Sequence, residues 1–146
     1  MAEAIRLEFA DQSEIAHGTC LDWLAELAER ALPKVLAIAI AESPLTTLTE
    51  VEFTLVTDET IAQVHEEFMQ VPGATDVITF HHGEVVISVE TAATQAVDFA
   101  RTTADEVALY VIHGLLHLAG YDDKTPEAFG SMAILQERIL QECNAT

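Results

Sequence analysis

Alternating apolar and polar residues mark the strands that the sequence predicts. In IRLEF, residues 5–9, every second side chain is apolar, as expected for a strand with one buried face. The alternation recurs in LTEVEFTLV, residues 48–56. Two shorter runs rich in β-branched residues, 76–80 and 84–88, are separated by HHG. Their spacing predicts a hairpin, which brings the expected number of strands to four.

Apolar residues spaced three and four positions apart predict three helices in the first hundred residues. The first starts near Thr19 and is expected to end or kink at Pro33, which has no backbone N–H to donate. The second helix follows Thr57 or Asp58 as its N-cap. The third occupies much of residues 88–100.

Two further helices are predicted in the C-terminal third. One is expected to open with a capping box formed by Thr103 and Glu106, and to end where Gly120 can adopt a left-handed conformation. Because its apolar residues leave it without a polar face, this helix is predicted to be buried on most sides. The last helix is expected to start from a Thr125 cap and to run to about Cys143.

Together these elements predict an α+β fold, a small mixed four-stranded sheet packed with about five helices. Half of the residues are hydrophobic, which suffices for one buried core, and we expect residues 1–146 to form a single domain. The longest apolar run, residues 35–41, is too short to cross a bilayer, and the N-terminal residues lack a secretory signal pattern. The sequence therefore predicts a cytoplasmic protein without a membrane partner.

The charge of the chain is strongly negative, with 25 Asp and Glu against 6 Lys and Arg and a formal net charge of −19. Proteins that bind nucleic acid through their own surface usually cluster Lys and Arg, because neutralising phosphates supplies most of the sequence-independent affinity. The composition therefore argues against simple nucleic-acid binding. A solvated acidic surface is the plainer interpretation.

The most informative stretch is HGLLHLAGYDD, residues 113–123. His113 and His117 lie four positions apart on one face of the predicted buried helix, so both imidazoles can reach one ion. Gly120, three residues after His117, can reverse the chain and bring Asp123 back as a third ligand. This places a metal site on the buried helix and the turn after it. In an alternative interpretation the pair are hydrogen-bonded core histidines with Asp122 or Asp123 as the acceptor.

Two imidazoles and one carboxylate with an open position are a known ligand set for zinc hydrolysis, so Zn²⁺ is the expected ion. The same set binds Fe²⁺ in non-haem oxygenases, and Ni²⁺ is also left open. Zinc proteases with this helical spacing carry a glutamate after the first histidine as general base. Since the chain has Gly114 at that position, a metalloprotease is only a minor alternative.

In these residues the sequence resembles the YbeY-type proteins, a family of endoribonucleases and rRNA maturation factors. The family signature H-G-x-L-H-L-x-G-Y-D-H matches residues 113–123 except at its last position. Residues 75–80, TDVITF, and 83–88, GEVVIS, resemble the family blocks T-D-V-L-S-F and G-D-I-V-I-S in the same order and spacing. The resemblance covers roughly residues 50–142.

The resemblance implies an α+β fold and one zinc ion held by His113, His117 and Asp123, where the aspartate stands in place of a third histidine. It also implies a role in rRNA processing or quality control, with ribosome-associated partners such as a small-subunit ribosomal protein and an assembly GTPase. A second departure concerns an arginine that the resemblance links to RNA binding or cleavage. Met69 occupies that position here.

Further polar residues near these motifs are candidates for the site. We expect Asp76 to act in catalysis or to orient a ligand imidazole, with a structural role in a turn as the alternative. His81 and His82 are expected either to face the metal or to cap a surface turn. Asp122 and Tyr121 are candidates for supporting the ligands or for contacting substrate, with turn formation and packing as their simpler roles.

The function we predict is cleavage of single-stranded RNA in rRNA maturation and ribosome quality control, by a water molecule activated at the metal. His113 and Asp76 are the catalytic candidates. The missing arginine and the acidity favour an alternative, a non-catalytic ribosome-assembly adaptor with a structural zinc that meets RNA only beside a basic protein partner. The sequence leaves the oligomeric state open.

Overall fold

A computed structural model describes residues 4–144 and contains the four strands and five helices that the hydrophobic pattern predicts. The strands are β1 (Arg6–Asp11), β2 (Glu50–Val56), β3 (Val77–Phe80) and β4 (Glu84–Ser88). The helices are α1 (Leu21–Ala37), α2 (Asp58–Met69), α3 (Val89–Asp98), α4 (Thr103–Leu118) and α5 (Pro126–Asn144). None of these described helices is long and apolar enough to span a membrane. The predicted α+β class is confirmed.

The sheet is mixed, with strand order β1-β2-β4-β3. Strand β2 pairs in parallel with both β1 and β4, whereas β3 and β4 form the predicted antiparallel hairpin. The turn of the hairpin is closed by a 3.0 Å hydrogen bond from the Gly83 N–H to the Phe80 carbonyl. This topology leaves β3 at one edge of the sheet.

Side chains of the sheet alternate between two cores. Val85 and Ile87 of β4 belong to the main core, which they share with residues of α1, α4 and α5. Val86 points to the other face and packs with Ile61 of α2 and Ile78 of β3 in a smaller cluster. The larger core therefore lies on the face that α4 covers.

Helix α4 occupies the centre of the main core, and most of its residues are buried, as predicted. It contacts α1, α3, α5 and the strands β3 and β4. The N-cap is Thr102, whose hydroxyl accepts a 3.1 Å hydrogen bond from the Asp105 N–H. The predicted capping box of Thr103 and Glu106 is wrong, because the neighbouring threonine takes the cap and Glu106 turns into the protein.

Helix α1 continues through Pro33 to Ala37. The proline lacks the N–H that would bond to the carbonyl four residues earlier. Leu32 and Val35, on either side of it, are buried in the main core. Burial of this turn offsets the lost hydrogen bond, so the helix does not end at Pro33, the first of the two outcomes expected there.

Gly120 terminates α4 as predicted, with a φ of 100° that is favourable only for glycine. The Gly120 N–H donates to the His117 carbonyl, and the Tyr121 N–H donates to the Leu116 carbonyl, both at 3.0 Å. This pair of bonds forms a Schellman motif. The chain therefore reverses directly after the second histidine, which positions the following residues beside the helix.

Candidate metal centre

A cleft of about 690 Å³ opens beside helix α4. Its walls come from α4, α5, the edge strand β3 with its flanking residues, and the ends of α2 and α3. Glu106, Tyr110, His113 and His117 line it from one face of α4, at spacings of three and four residues. The histidine pair therefore faces an open cleft rather than a closed core.

His113, His117 and Asp123 converge in this cleft. The Nε2 atoms of the two histidines are 3.0 Å apart. Oδ2 of Asp123 lies 3.7 Å from Nε2 of His113 and 3.8 Å from Nε2 of His117. Ligand atoms around a tetrahedral ion with bonds of about 2.0 to 2.1 Å are about 3.3 to 3.4 Å apart. The observed distances bracket this spacing, so the three residues could hold one metal ion, and within residues 4–144 they are the only such group of His, Cys, Asp or Glu.

Gln136 of α5 sets the orientation of the His113 ring. Its Oε1 atom lies 2.8 Å from His113 Nδ1. Because an amide oxygen only accepts hydrogen bonds, Nδ1 carries the proton and Nε2 keeps its lone pair for an ion. Partners of this kind commonly orient histidines that bind metals.

The environment of His117 favours its neutral form. Burial lowers the pKa of the imidazole below its usual value of 6.5, and the neighbouring His113 acts in the same direction. Asp123, a hydrogen bond with the Tyr121 backbone, and Asp122 oppose this effect only in part. Since a metal binds the neutral imidazole, the protein holds His117 in the form that a ligand requires.

Gly114 is required by packing against the sheet. A Cβ atom at this position would lie 2.9 Å from Cγ1 of Val85 and 3.4 Å from Oγ1 of Thr79. Helix α4 therefore lies too close to the sheet for any side chain there. The position that carries the general base in zinc proteases has no room for a glutamate, which argues against the protease alternative.

Three residues named from the sequence line the cleft with the ligands: Asp76, His81 and Met69. Oδ1 of Asp76 accepts a 2.8 Å hydrogen bond from the Val77 N–H and a 3.3 Å bond from the Thr75 hydroxyl. These bonds fix the carboxylate at the start of β3. Met69 lies at the end of α2, so the position where the resemblance implies an arginine lines this cleft.

Three other candidates have contacts elsewhere. The Tyr121 hydroxyl donates a 2.7 Å hydrogen bond to the Ile38 carbonyl, which ties the turn after α4 to the end of α1. Oδ1 of Asp122 accepts a 3.1 Å bond from the Lys124 N–H within that turn. His82 lies in the exposed turn between β3 and β4. None of the three is among the described residues that line the cleft.

The structure also brings into the cleft residues that sequence reasoning missed. Glu106 and Tyr110 stand on the same face of α4 as His113, so the helical period alone would have indicated them. Gln136 and Arg101 have no such signal, because they reach the cleft through packing between helices and a loop that are distant in sequence.

Fold and site together define a class of protein, small α+β proteins with a mixed sheet and a candidate metal centre on one buried helix. The family model described as Endoribonuclease YbeY matches residues 20–144. The chain therefore belongs to the YbeY family, and the resemblance noted in its sequence motifs is confirmed.

Similar proteins agree with this assignment. An Endoribonuclease YbeY of Kineococcus radiotolerans is 32% identical over 151 residues, covering 92% of this chain and 84% of the relative. One of Mycobacterium tuberculosis is 30% identical over 148 residues, covering 88% and 81%. The solution structure of TM1509 from Thermotoga maritima has a similar fold, with a TM-score of 0.61, 24% identity, and coverage of 94% of this chain and 88% of that one.

Proposed function

We propose that the chain is a metal-dependent endoribonuclease that cleaves single-stranded RNA. The observation that carries this proposal is the convergence of His113, His117 and Asp123 at ligand distances in an open cleft. Relatives named endoribonucleases support the choice of RNA as substrate. We assign Zn²⁺ to the set, with Fe²⁺ and Ni²⁺ as the ions to compare with it.

An ion at such a site supplies two effects: it lowers the pKa of a water molecule and polarises a phosphoryl oxygen. The residues of the chain prepare the site. Gln136 holds His113 in the tautomer that leaves Nε2 free, and burial keeps His117 neutral. Asp76 lines the same cleft with one carboxylate oxygen anchored to β3. We assign to Asp76 the transfer of a proton during cleavage.

We extend the proposal to rRNA maturation and ribosome quality control in the cytoplasm. Arg101 is the only Lys or Arg among the described residues that line the cleft, in a chain with a formal net charge of −19. The chain therefore neutralises few phosphates by itself. A basic ribosomal protein or an assembly GTPase beside it on the ribosome would supply the missing positive charge.

Cleavage of single-stranded RNA by the purified protein tests the proposal. Chelation and the substitution His113→Ala are each expected to reduce the rate by at least about 100-fold, because each removes the ion from the cleft. His82→Ala is the matched control, since this histidine lies in an exposed turn outside the cleft, and it is expected to keep the wild-type rate. Cleavage that persists in chelated protein or in His113→Ala would overturn the proposal.

A non-catalytic adaptor is the second candidate, and the observation that favours it is Met69. This methionine lines the cleft where the family resemblance implies an arginine, and a thioether cannot stabilise a phosphoryl transition state as a guanidinium does. If the protein is an adaptor with a structural ion, the metal-loaded wild type would leave RNA intact. Chelation would then lower the melting temperature of the protein.

A further inference from the structure

The cleft extends along α4 beyond the metal ligands. Tyr110 and Glu106 lie one and two turns before His113 on the same helix face, which places Glu106 roughly 10 Å from His113 along the helix axis. Arg101 and Phe99, which precede the helix, continue the wall in that direction. We refer to Phe99, Arg101, Glu106 and Tyr110 as the distal pocket.

The deepest groups of the distal pocket have incomplete hydrogen bonding. Glu106 and Tyr110 are 3% and 5% exposed. Burial raises the pKa of the Glu106 carboxyl, and the neighbouring Tyr110 hydroxyl opposes this effect in part. Even so, neither that hydroxyl nor Glu106 Oε1 has a partner in hydrogen-bond geometry among the described residues. Buried polar atoms without a full set of hydrogen bonds are uncommon in folded proteins, and these two leave capacity that the edge of a ligand in the cleft can satisfy.

Arg101 connects these buried groups with the mouth of the cleft. Its Nη2 atom donates a 2.5 Å hydrogen bond to Oε1 of Glu137, and its Nε atom lies 3.4 Å from Oε1 of Glu106. The guanidinium carbon lies 5.8 Å from the centre of the Phe99 ring, within the range of a cation–π contact. Phe99 itself is 62% exposed. A flat, solvent-facing ring thus stands beside a fixed guanidinium and two buried polar groups.

The charges of the distal pocket disfavour a phosphate and suit a nucleobase. Glu106 and Glu137 flank the single guanidinium, so a phosphate would meet two carboxyl groups for one cation. A base is uncharged, and its edge offers both donors and acceptors. These match a carboxyl oxygen, a phenol and a guanidinium. Its flat face can stack on an exposed aromatic ring.

We propose that the distal pocket binds one nucleobase of the RNA substrate, stacked on Phe99 with its polar edge towards Glu106 and Tyr110. This inference rests on the proposed function, because it takes the bound polymer to be single-stranded RNA. A base contact of this kind adds to the few phosphate contacts that so acidic a chain makes by itself. The bound base positions the strand along α4, with a neighbouring phosphate at the metal ligands.

Binding of a short single-stranded RNA to the full chain, measured in chelator so that the RNA stays intact, tests the distal pocket. Phe99→Ala is expected to weaken binding about 5- to 100-fold, the range for the loss of one stacked base. Phe68→Ala is the matched control, because Phe68 is similarly exposed, at 59%, but does not line the cleft. This control is expected to bind like the wild type, and equal affinities of the two variants would overturn the inference.

Oligonucleotides with one abasic residue at successive positions locate the bound base. One position is expected to weaken binding of the wild type and to have no further effect on Phe99→Ala, because both changes remove the same contact. The same abasic profile for both proteins would contradict the inference. If metal-loaded protein cleaves RNA but binding does not depend on Phe99, only the distal-pocket inference is wrong. If RNA binding depends on Phe99 but metal-loaded protein does not cleave RNA, only the proposed endoribonuclease activity is wrong.

Discussion

At the scale of single residues, the metal ligands depend on a side chain outside the motif. His113 has its proton on Nδ1 because the Gln136 Oε1 atom accepts a hydrogen bond from that N–H. This leaves Nε2, which faces His117 and Asp123, free to act as a ligand. An imidazole without such a partner rotates and exchanges tautomers, which weakens metal binding. The amide of Gln136 therefore belongs to the proposed metal centre, although it is not one of the three candidate ligands.

Replacing this amide gives the first residue-scale prediction. Gln136→Leu is expected to lower metal affinity about 10- to 100-fold, the usual effect of removing a partner that orients a ligand. Gln141→Leu, at an exposed position of the same helix, is expected to bind metal like the wild type. Competition with a chromophoric chelator measures both affinities. Unchanged affinity in Gln136→Leu would show that the ring is oriented without the amide.

The convergence of the three candidate ligands could be predicted from the sequence because their geometry is local. His113 and His117 need only the helical period, and Asp123 needs only the chain reversal at Gly120. The residues between them were harder to interpret. Tyr121 stabilises the turn by bonding to the end of α1, a contact across the fold that a local motif does not reveal.

At the scale of elements, the close approach of α4 to the sheet governs the site. Gly114 lets the helix pack directly against Val85 of β4, and this contact brings the histidine face of α4 beside the edge strand. The glycine is therefore needed for the position of the helix. The same close packing leaves no room for the glutamate that serves as general base in zinc proteases.

Two alanine substitutions at helical glycines are predicted to have opposite effects. Gly114→Ala is expected to destabilise the protein by about 1–3 kcal/mol, because the added methyl group collides with Val85. Gly130→Ala in α5, where a Cβ atom meets nothing within 4 Å, is expected to stabilise it by about 0.5–1 kcal/mol through the helical preference for alanine. Urea unfolding measures both changes. A Gly114→Ala protein as stable as the wild type would contradict the close approach of helix and sheet.

The helices and strands were predictable because the apolar residues that recur at helical or strand spacing are those that pack into the two cores. Their ends were less so. Thr102 and Thr103 both offer a hydroxyl to the start of α4; the structure uses Thr102, and Glu106 is buried in the protein. Pro33 favours a helix end because it lacks a backbone N–H. Burial of its neighbours Leu32 and Val35 keeps α1 continuous.

At the scale of the whole molecule, the cleft joins parts of the chain that no sequence window contains. Gln136 meets His113 and Glu137 meets Arg101 only because α5 folds back along α4. The strong negative charge is likewise a property of the whole chain. It matters at the cleft because Arg101 is the only Lys or Arg among the described residues that line it, so few cations can face RNA phosphates. Such long-range facts lie beyond periodicity and motif spacing.

The central claim, that one ion held by His113, His117 and Asp123 serves RNA cleavage, is tested most directly by metal content and RNA cleavage measured together. Asp123→Ala is expected to lose both the bound metal and the cleavage of single-stranded RNA, because it removes the third ligand. Asp122→Ala, which changes the adjacent carboxylate that bonds only within the turn among the described residues, is expected to keep both. Full metal content in Asp123→Ala, or intact RNA with metal-loaded wild type, would contradict the claim.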